Sequence, residues 1–271
     1  MLFFNSLAYF SNLSVRLFVL CYFVTLVSCM SHNIQTTSGK EFLSGYPAQN
    51  RWQSDSEDLE DLDAQVAKVA AIEPNLRFPA RIGITRIEHG KMSPMSQAEA
   101  DMWFEAAKEL GASFGEFVPV SHLIAEMVYT PPTGQKIETN QIQAIIRKIR
   151  LAAARQHLDV VLLYEVYGKT SRASNPLSVM DLTIIGAYLS PGQSLEAEGY
   201  AKALLLDVRN GYPYGTADAV ATKESLSARV GSSHRLDKLY EQTSLAAVQN
   251  LTQEVKAMFI ELKQQLPSVS K

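Results

Sequence analysis

From Leu236 to Leu266 the chain carries apolar residues at helical spacing, and a helix of that length, about 45 Å at 1.5 Å per residue, constrains the fold more than any other feature. Leu239, Tyr240, Ala246, Ala247, Leu251, Val255, Met258, Phe259 and Leu262 supply its buried face. Such a face needs an apolar surface of matching length, and a sheet covered end to end provides one. The strands for that sheet lie upstream. Pro79 to Ile87 alternates with period two, Phe117 to Val120 is a short second strand, and Val160-Val161-Leu162-Leu163-Tyr164 suits a central strand covered on both faces. Val179 to Leu189 and Tyr200 to Val208 read as two more, and Asn210-Gly211 marks a hairpin into the stretch from Tyr212.

Helices interleave with these strands. Ser96 with Glu99 forms a capping box, and Trp103, Ala106, Ala107 and Leu110 share one face until Gly111 ends the helix. His122 to Val128 predicts a helical turn or short helix, and Pro131-Pro132-Thr133-Gly134 is a break. Ile142, Ile145, Ile146, Ile149 and Ala153 predict a helix over Asn140 to Gln156, with Arg147, Lys148, Arg150 and Arg155 on a solvated face. Residues 224–234 fit neither pattern. The order predicts an α/β (α+β) class with a mixed sheet of about five or six strands, packed helices and a long C-terminal helix.

The N-terminus has a different character. Leu17 to Leu26 is an apolar run behind a single charge, Arg16. A spanning helix wants about 20 apolar residues and a secretory signal about 7–15, so the run fits a signal peptide. Leu26-Val27-Ser28-Cys29 resembles the bacterial lipobox. That resemblance implies a signal peptide over residues 1–28 and a mature chain that begins at a lipidated Cys29. A thioether-linked diacylglycerol and an amide-linked acyl chain (palmitate or similar) would anchor it durably, since two chains already suffice. Cys21 leaves with the signal, so no disulfide is possible in the mature chain. The resemblance further implies, because Met30 and not Asp follows the cysteine, an outer-membrane anchor with the domain facing the periplasm.

Charge narrows the partners. The chain has 25 basic and 28 acidic residues; removing Arg16 leaves 24 against 28, a net of -4, which argues against nucleic acid. From Ser31 to about Ser56 the chain is polar and without period, which predicts a flexible tether over 29–56 and a single domain over 57–271. Asp55, Glu57, Asp58, Glu60, Asp61 and Asp63 run into Leu62, Val66, Val69 and Ala70, the start of a helix. They lack the glycine turn and ligand spacing of a calcium loop.

Little in the sequence carries chemistry. Gly111-Ala112-Ser113-Phe114-Gly115 matches the G-x-S-x-G nucleophile elbow, which leaves a periplasmic serine hydrolase using Ser113 as the alternative function. That elbow turns a strand into a helix, however, and here a helix precedes a strand. His122, His157 and His234 have no spacing that favours one as its base, and with His32 and His89 they form no i, i+4 metal pair, so no metal and no cofactor is expected. Glu165 and Asp181 within strands and Asp207 before the hairpin are candidate buried carboxylates, more simply read as structural. Residues 169–178 read as a polar loop. Arg172 and Asn175 in it, with Tyr212 and Tyr214 after the turn, are the candidate partner-binding residues. Packing of those tyrosines against the terminal helix is the competing reading.

Ala80-Arg81-Ile82-Gly83-Ile84, Phe117-Val118-Pro119-Val120-Ser121, Leu158-Asp159-Val160-Val161-Leu162 and the hairpin from Leu204 to Gly211 follow a lipobox and a polar segment. That series is similar to an envelope group, the α/β lipoproteins and periplasmic domains related to the curli-secretion lipoprotein CsgG, the penicillin-binding-protein activator LpoB and the N-terminal domain of TolB. The resemblance implies a non-enzymatic adaptor of envelope assembly or secretion that binds another protein, a surface polymer or its own copies. It supplies no catalytic residues. Lys202, Asp207 and Arg209 in the alternating segments argue against pore formation.

Overall fold

The computed structural model describes residues 31–45, 57–128, 141–174, 193–227 and 232–266. In chain order the elements are β1 (Ser31–Ile34), α1 (Gly39–Ser44), α2 (Glu57–Ala70), β2 (Ala80–Glu88), β3 (Lys91–Ser93), α3 (Gln97–Leu110), β4 (Gly115–Pro119), α4 (His122–Val128), α5 (Gln141–Arg155), β5 (Val160–Ser174), β6 (Gln193–Asp207), β7 (Pro213–Ser227) and α6 (Ser232–Gln265). The strands form one seven-stranded mixed sheet in the order β1-β7-β6-β5-β2-β3, with β4 also paired to β2. β2 is parallel to β4 and β5, whereas β5, β6 and β7 form an antiparallel meander.

Strand alternation divides the core between two helical layers. Ile82, Ile84, Val160, Leu162 and Tyr164 point to the side where α6 and Trp103 of α3 pack. Val161, Leu163 and Leu206 point to the opposite side, against Ile145, Ile149, Ala152 and Ala153 of α5. Val160, Val161 and Leu162 are fully buried, as a run covered on both faces requires. The terminal helix spans 34 residues, and its buried face reaches from Leu236 to Leu262 as expected, except that Tyr240, expected on that face, is exposed. Both capping-box hydrogen bonds are present at Ser96 and Glu99. Glu99 is buried and lies 3.4 Å from Arg86, so the cap also ties α3 to β2. Gly111 ends α3 with φ +81°, a left-handed value that glycine adopts without strain.

Three sequence expectations need correction. Lys169 to Ser174 do not belong to a loop. They extend β5 and pair residue by residue with Gln193 to Glu198 of β6. Polar composition hid this strand because one sheet face there is open to water, and only the other, with Leu195 and Ala197, is covered by Leu236 and Leu239 of α6. The segment after Ser31 is not a free tether either. Ser31 to Ile34 pairs with Gly215 to Asp218 at the sheet edge, and Ser38 caps α1. A four-residue strand cannot declare itself by period, and its stability comes from pairing with a remote strand. The tyrosines after the turn are core residues, as detailed below. The expected strand over 179–189 and the Pro131–Gly134 break lie outside the described residues.

Candidate functional site

Asp207, the last residue of β6, organises the end of the sheet where β6 turns into β7. Its carboxylate is fully buried. Oδ1 accepts from the backbone N–H of Arg209 at 2.8 Å and of Asn210 at 3.3 Å, an Asx-type closure of the turn. Oδ2 accepts from the Tyr214 hydroxyl at 3.0 Å, and that hydroxyl oxygen accepts from Asn75 N at 2.7 Å and Leu76 N at 2.6 Å. Asn210 Nδ2 donates to Glu73 O, and the Tyr212 hydroxyl donates to Thr37 O, both at 2.8 Å. Burial and the adjacent Asp207 carboxylate hold the Tyr214 hydroxyl well above its ordinary range, so it stays a donor. Tyr212 and Tyr214 are therefore pins that tie residues 37, 75 and 76 to the turn, with relative exposures of 4% and 0%, while Asn210 holds Glu73. Their proximity to a hairpin turn suggested partner contact because sequence does not show what docks over a turn.

The remaining predicted positions are scattered. Arg172 is exposed on β5, on the α6 side, where Nη2 donates to Ser233 Oγ at 3.3 Å. Cys29, Asn175 and Asp181 lie outside the described residues. Ser113 is exposed in the turn from α3 to β4, and its carbonyl accepts from Lys263 Nζ at 2.9 Å. The chain there runs helix to strand, the reverse of a nucleophile elbow. Gly115 is glycine for a packing reason: a Cβ there would lie 1.8 Å from the Ala80 carbonyl oxygen. Among the described residues no group of three or more histidine, cysteine, aspartate or glutamate side chains could hold a metal, and no helix is long and apolar enough to cross a membrane.

Two surfaces stand out that the sequence did not single out. The first is a groove of about 640 Å³ between α1, α2 and the β6–β7 turn, lined by Phe42, Val66, Val69, Ile72, Leu206 and Pro213. Leu62, Val66 and Val69 form the apolar stripe of α2, yet all three are exposed.

The second is the open face of the β5–β6–β7 meander, beyond the reach of α5. Tyr167 and Tyr200 stack there, with centroids 5.2 Å apart and ring planes within 10°. The Tyr200 hydroxyl donates to Glu198 Oε2 at 2.5 Å, and Lys169 Nζ lies 5.7 Å from the Tyr200 centroid. The hydrogen bond to Glu198 raises the Tyr200 hydroxyl above its ordinary range. Strand alternation puts Glu165, Glu196, Glu198, Asp218 and Glu224 on this face against Lys169 and Lys202. The signal for this surface was present in sequence, as an alternation of polar and small residues from Glu165 to Ser171, but it carries no hydrophobic period.

No protein-family model matches the chain, and no curated protein matches it. Among solved structures it is similar to a PelC dodecamer from Paraburkholderia phytofirmans at 12% identity, covering 68% of this chain and 92% of that one, with a TM-score of 0.31. It is similar to a lipoprotein of Neisseria meningitidis at 20% identity, covering 59% and 94%, with a TM-score of 0.31. It is also similar to a minor lipoprotein of Acinetobacter baumannii at 7% identity, covering 69% and 96%, with a TM-score of 0.32.

Proposed function

We propose that the chain is a lipoprotein of the bacterial cell envelope, acylated at Cys29 and held at the outer membrane facing the periplasm, whose α/β domain is an adaptor that binds another protein. The observation that carries this reading is the Leu26-Val27-Ser28-Cys29 sequence after an apolar run, joined within two residues to an ordered strand of the domain. The open face of β5, β6 and β7 is the contact surface. Its stacked tyrosines offer flat, rigid area, and five carboxylates against two ammonium groups suit a partner segment rich in arginine. Arginine stacks on tyrosine faces and pairs with carboxylates through one planar group.

A photo-crosslinking side chain at Tyr167 tests the surface in cells that express the full chain. A discrete envelope-protein adduct is expected from Tyr167 and not from Glu105 on the outer side of α3, with its yield falling about tenfold when Glu165, Glu196 and Glu198 become Gln. No adduct, or an adduct indifferent to those three substitutions, would refute this face as the contact.

A further inference from the structure

β1 is held by its ladder with β7, by Ile34 packed on the core and, on the side of α6, by the side chain of His32. His32 holds Nδ1 2.9 Å from Glu254 Oε2 and Nε2 3.1 Å from Glu261 Oε2, both on α6. An ionised carboxylate only accepts, so both contacts are hydrogen bonds only when the imidazole carries both protons. The ring is mostly enclosed, with a side-chain exposure of 21%. The hydrogen bond to Glu254 raises the His32 pKa above its ordinary value, against the lowering effect of burial, and Glu261 adds to the rise.

Other charges near β1 are turned away. On β7, Ala217 lies beside His32, and Asp218 projects to the opposite face, where it pairs with Lys202. On β1 itself the neighbours are Ser31 and Asn33. On α6, Lys256 is bonded to Glu109, and Gln265 meets Thr36. Glu261 also accepts from Gln265 Nε2 at 3.2 Å, and among the described residues the ion pairs of Glu254 and Glu261 are those with His32.

The position of the clasp gives it a consequence. With β1 docked, Met30 alone separates Cys29 from the sheet. After β1 the chain is held by Gln35 N–H, which donates to Tyr214 O at 2.8 Å, by the Thr36 hydroxyl on Gln265, and then by Thr37, whose carbonyl accepts from Tyr212, and Gly39 packed on Ala70 and Ala71. Freeing β1 together with the Gln35 and Thr36 contacts that continue it would lengthen the span from Cys29 to the domain to residues 30–36, about 25 Å when extended.

We propose that His32 is a proton-operated clasp that sets how far the domain stands from the bilayer: protonated, it holds β1 against α6 and keeps the domain close; deprotonated, it releases β1 and lets the domain stand off. The effect on reach rests on acylation of Cys29, whereas the clasp itself does not. Because the folded-state pKa is raised, the stabilisation of β1 is complete below the unfolded value, about 6.5, and is lost as pH rises through the folded value.

Hydrogen exchange of the full chain, purified in detergent and corrected for the intrinsic pH dependence of exchange, tests the clasp. Protection over residues 31–36 is expected to fall about tenfold or more from about pH 6 to about pH 9 while residues 160–164 stay protected. In His32→Gln, which is neutral throughout, protection of 31–36 is expected to be low and flat with pH. A pH-independent β1 in the native chain, or the same fall in His32→Gln, would overturn the proposal. Acyl labelling of the same preparation reads the anchor separately, so failure of one is distinguishable from failure of the other.

Discussion

Replacing Asp207 by Ala is expected to lower the free energy of unfolding by about 3–5 kcal/mol, measured by denaturant titration at neutral pH. The carboxylate closes the turn through two backbone N–H groups and receives the Tyr214 hydroxyl, which in turn satisfies the N–H groups of Asn75 and Leu76. Truncation leaves several of these polar groups buried and unpaired, and each such group costs about 1–3 kcal/mol. Asp207→Asn is expected to fall between. Its amide oxygen can keep the turn, but its NH₂ then faces a Tyr214 oxygen that already accepts from two N–H groups. Tyr214→Phe disturbs the same network, so the double variant is expected to cost less than the sum of the singles. A loss below about 1 kcal/mol for Asp207→Ala would show that the network is not structural.

Gly115→Ala is the second large effect. Gly115 opens β4 with φ +118°, and an added Cβ would fall within 3 Å of the Ala80 carbonyl oxygen, nitrogen and carbonyl carbon. Those atoms are backbone, so no rotamer relieves the clash, and β4 has to move off β2. A destabilisation of about 3–5 kcal/mol is expected from lost pairing and strain together. Ser113→Ala, two residues away and exposed, is expected to stay within about 0.5 kcal/mol. The opposite ranking would return the G-x-S-x-G match to consideration as a site.

The parts of the fold that were legible in the sequence are those stabilised locally or marked by a strong period. The capping box at Ser96 and Glu99, the apolar run from Val160 and the stripe along the terminal helix each state their structure within a few residues. Lys169 to Ser174 and Ser31 to Ile34 do not. Their conformation comes from partners at Gln193 to Glu198 and Gly215 to Asp218, and nothing in their own composition favours a strand. The site followed the same division. Tyr212 and Tyr214 looked exposed because residues 37, 75 and 76, which they bond, are remote in sequence. The Tyr167–Tyr200 stack joins residues 33 positions apart, and only the β5–β6 register brings them together. The His32 clasp spans 222 and 229 positions and had no local signal.

These features acquire their proposed roles from an anchor at one cysteine. A chain acylated at Cys29 puts β1 next to a lipid surface, the clasp beside the anchor and the open sheet face where an envelope partner can reach it. Metabolic labelling with an alkyne analogue of palmitate, followed by mass spectrometry of the N-terminal peptide, tests this directly. The account predicts a mature chain that begins at a triacylated Cys29 and loses both label and membrane retention in Cys29→Ala. An unlabelled chain, or a Cys29→Ala variant that stays with the membrane, would contradict it.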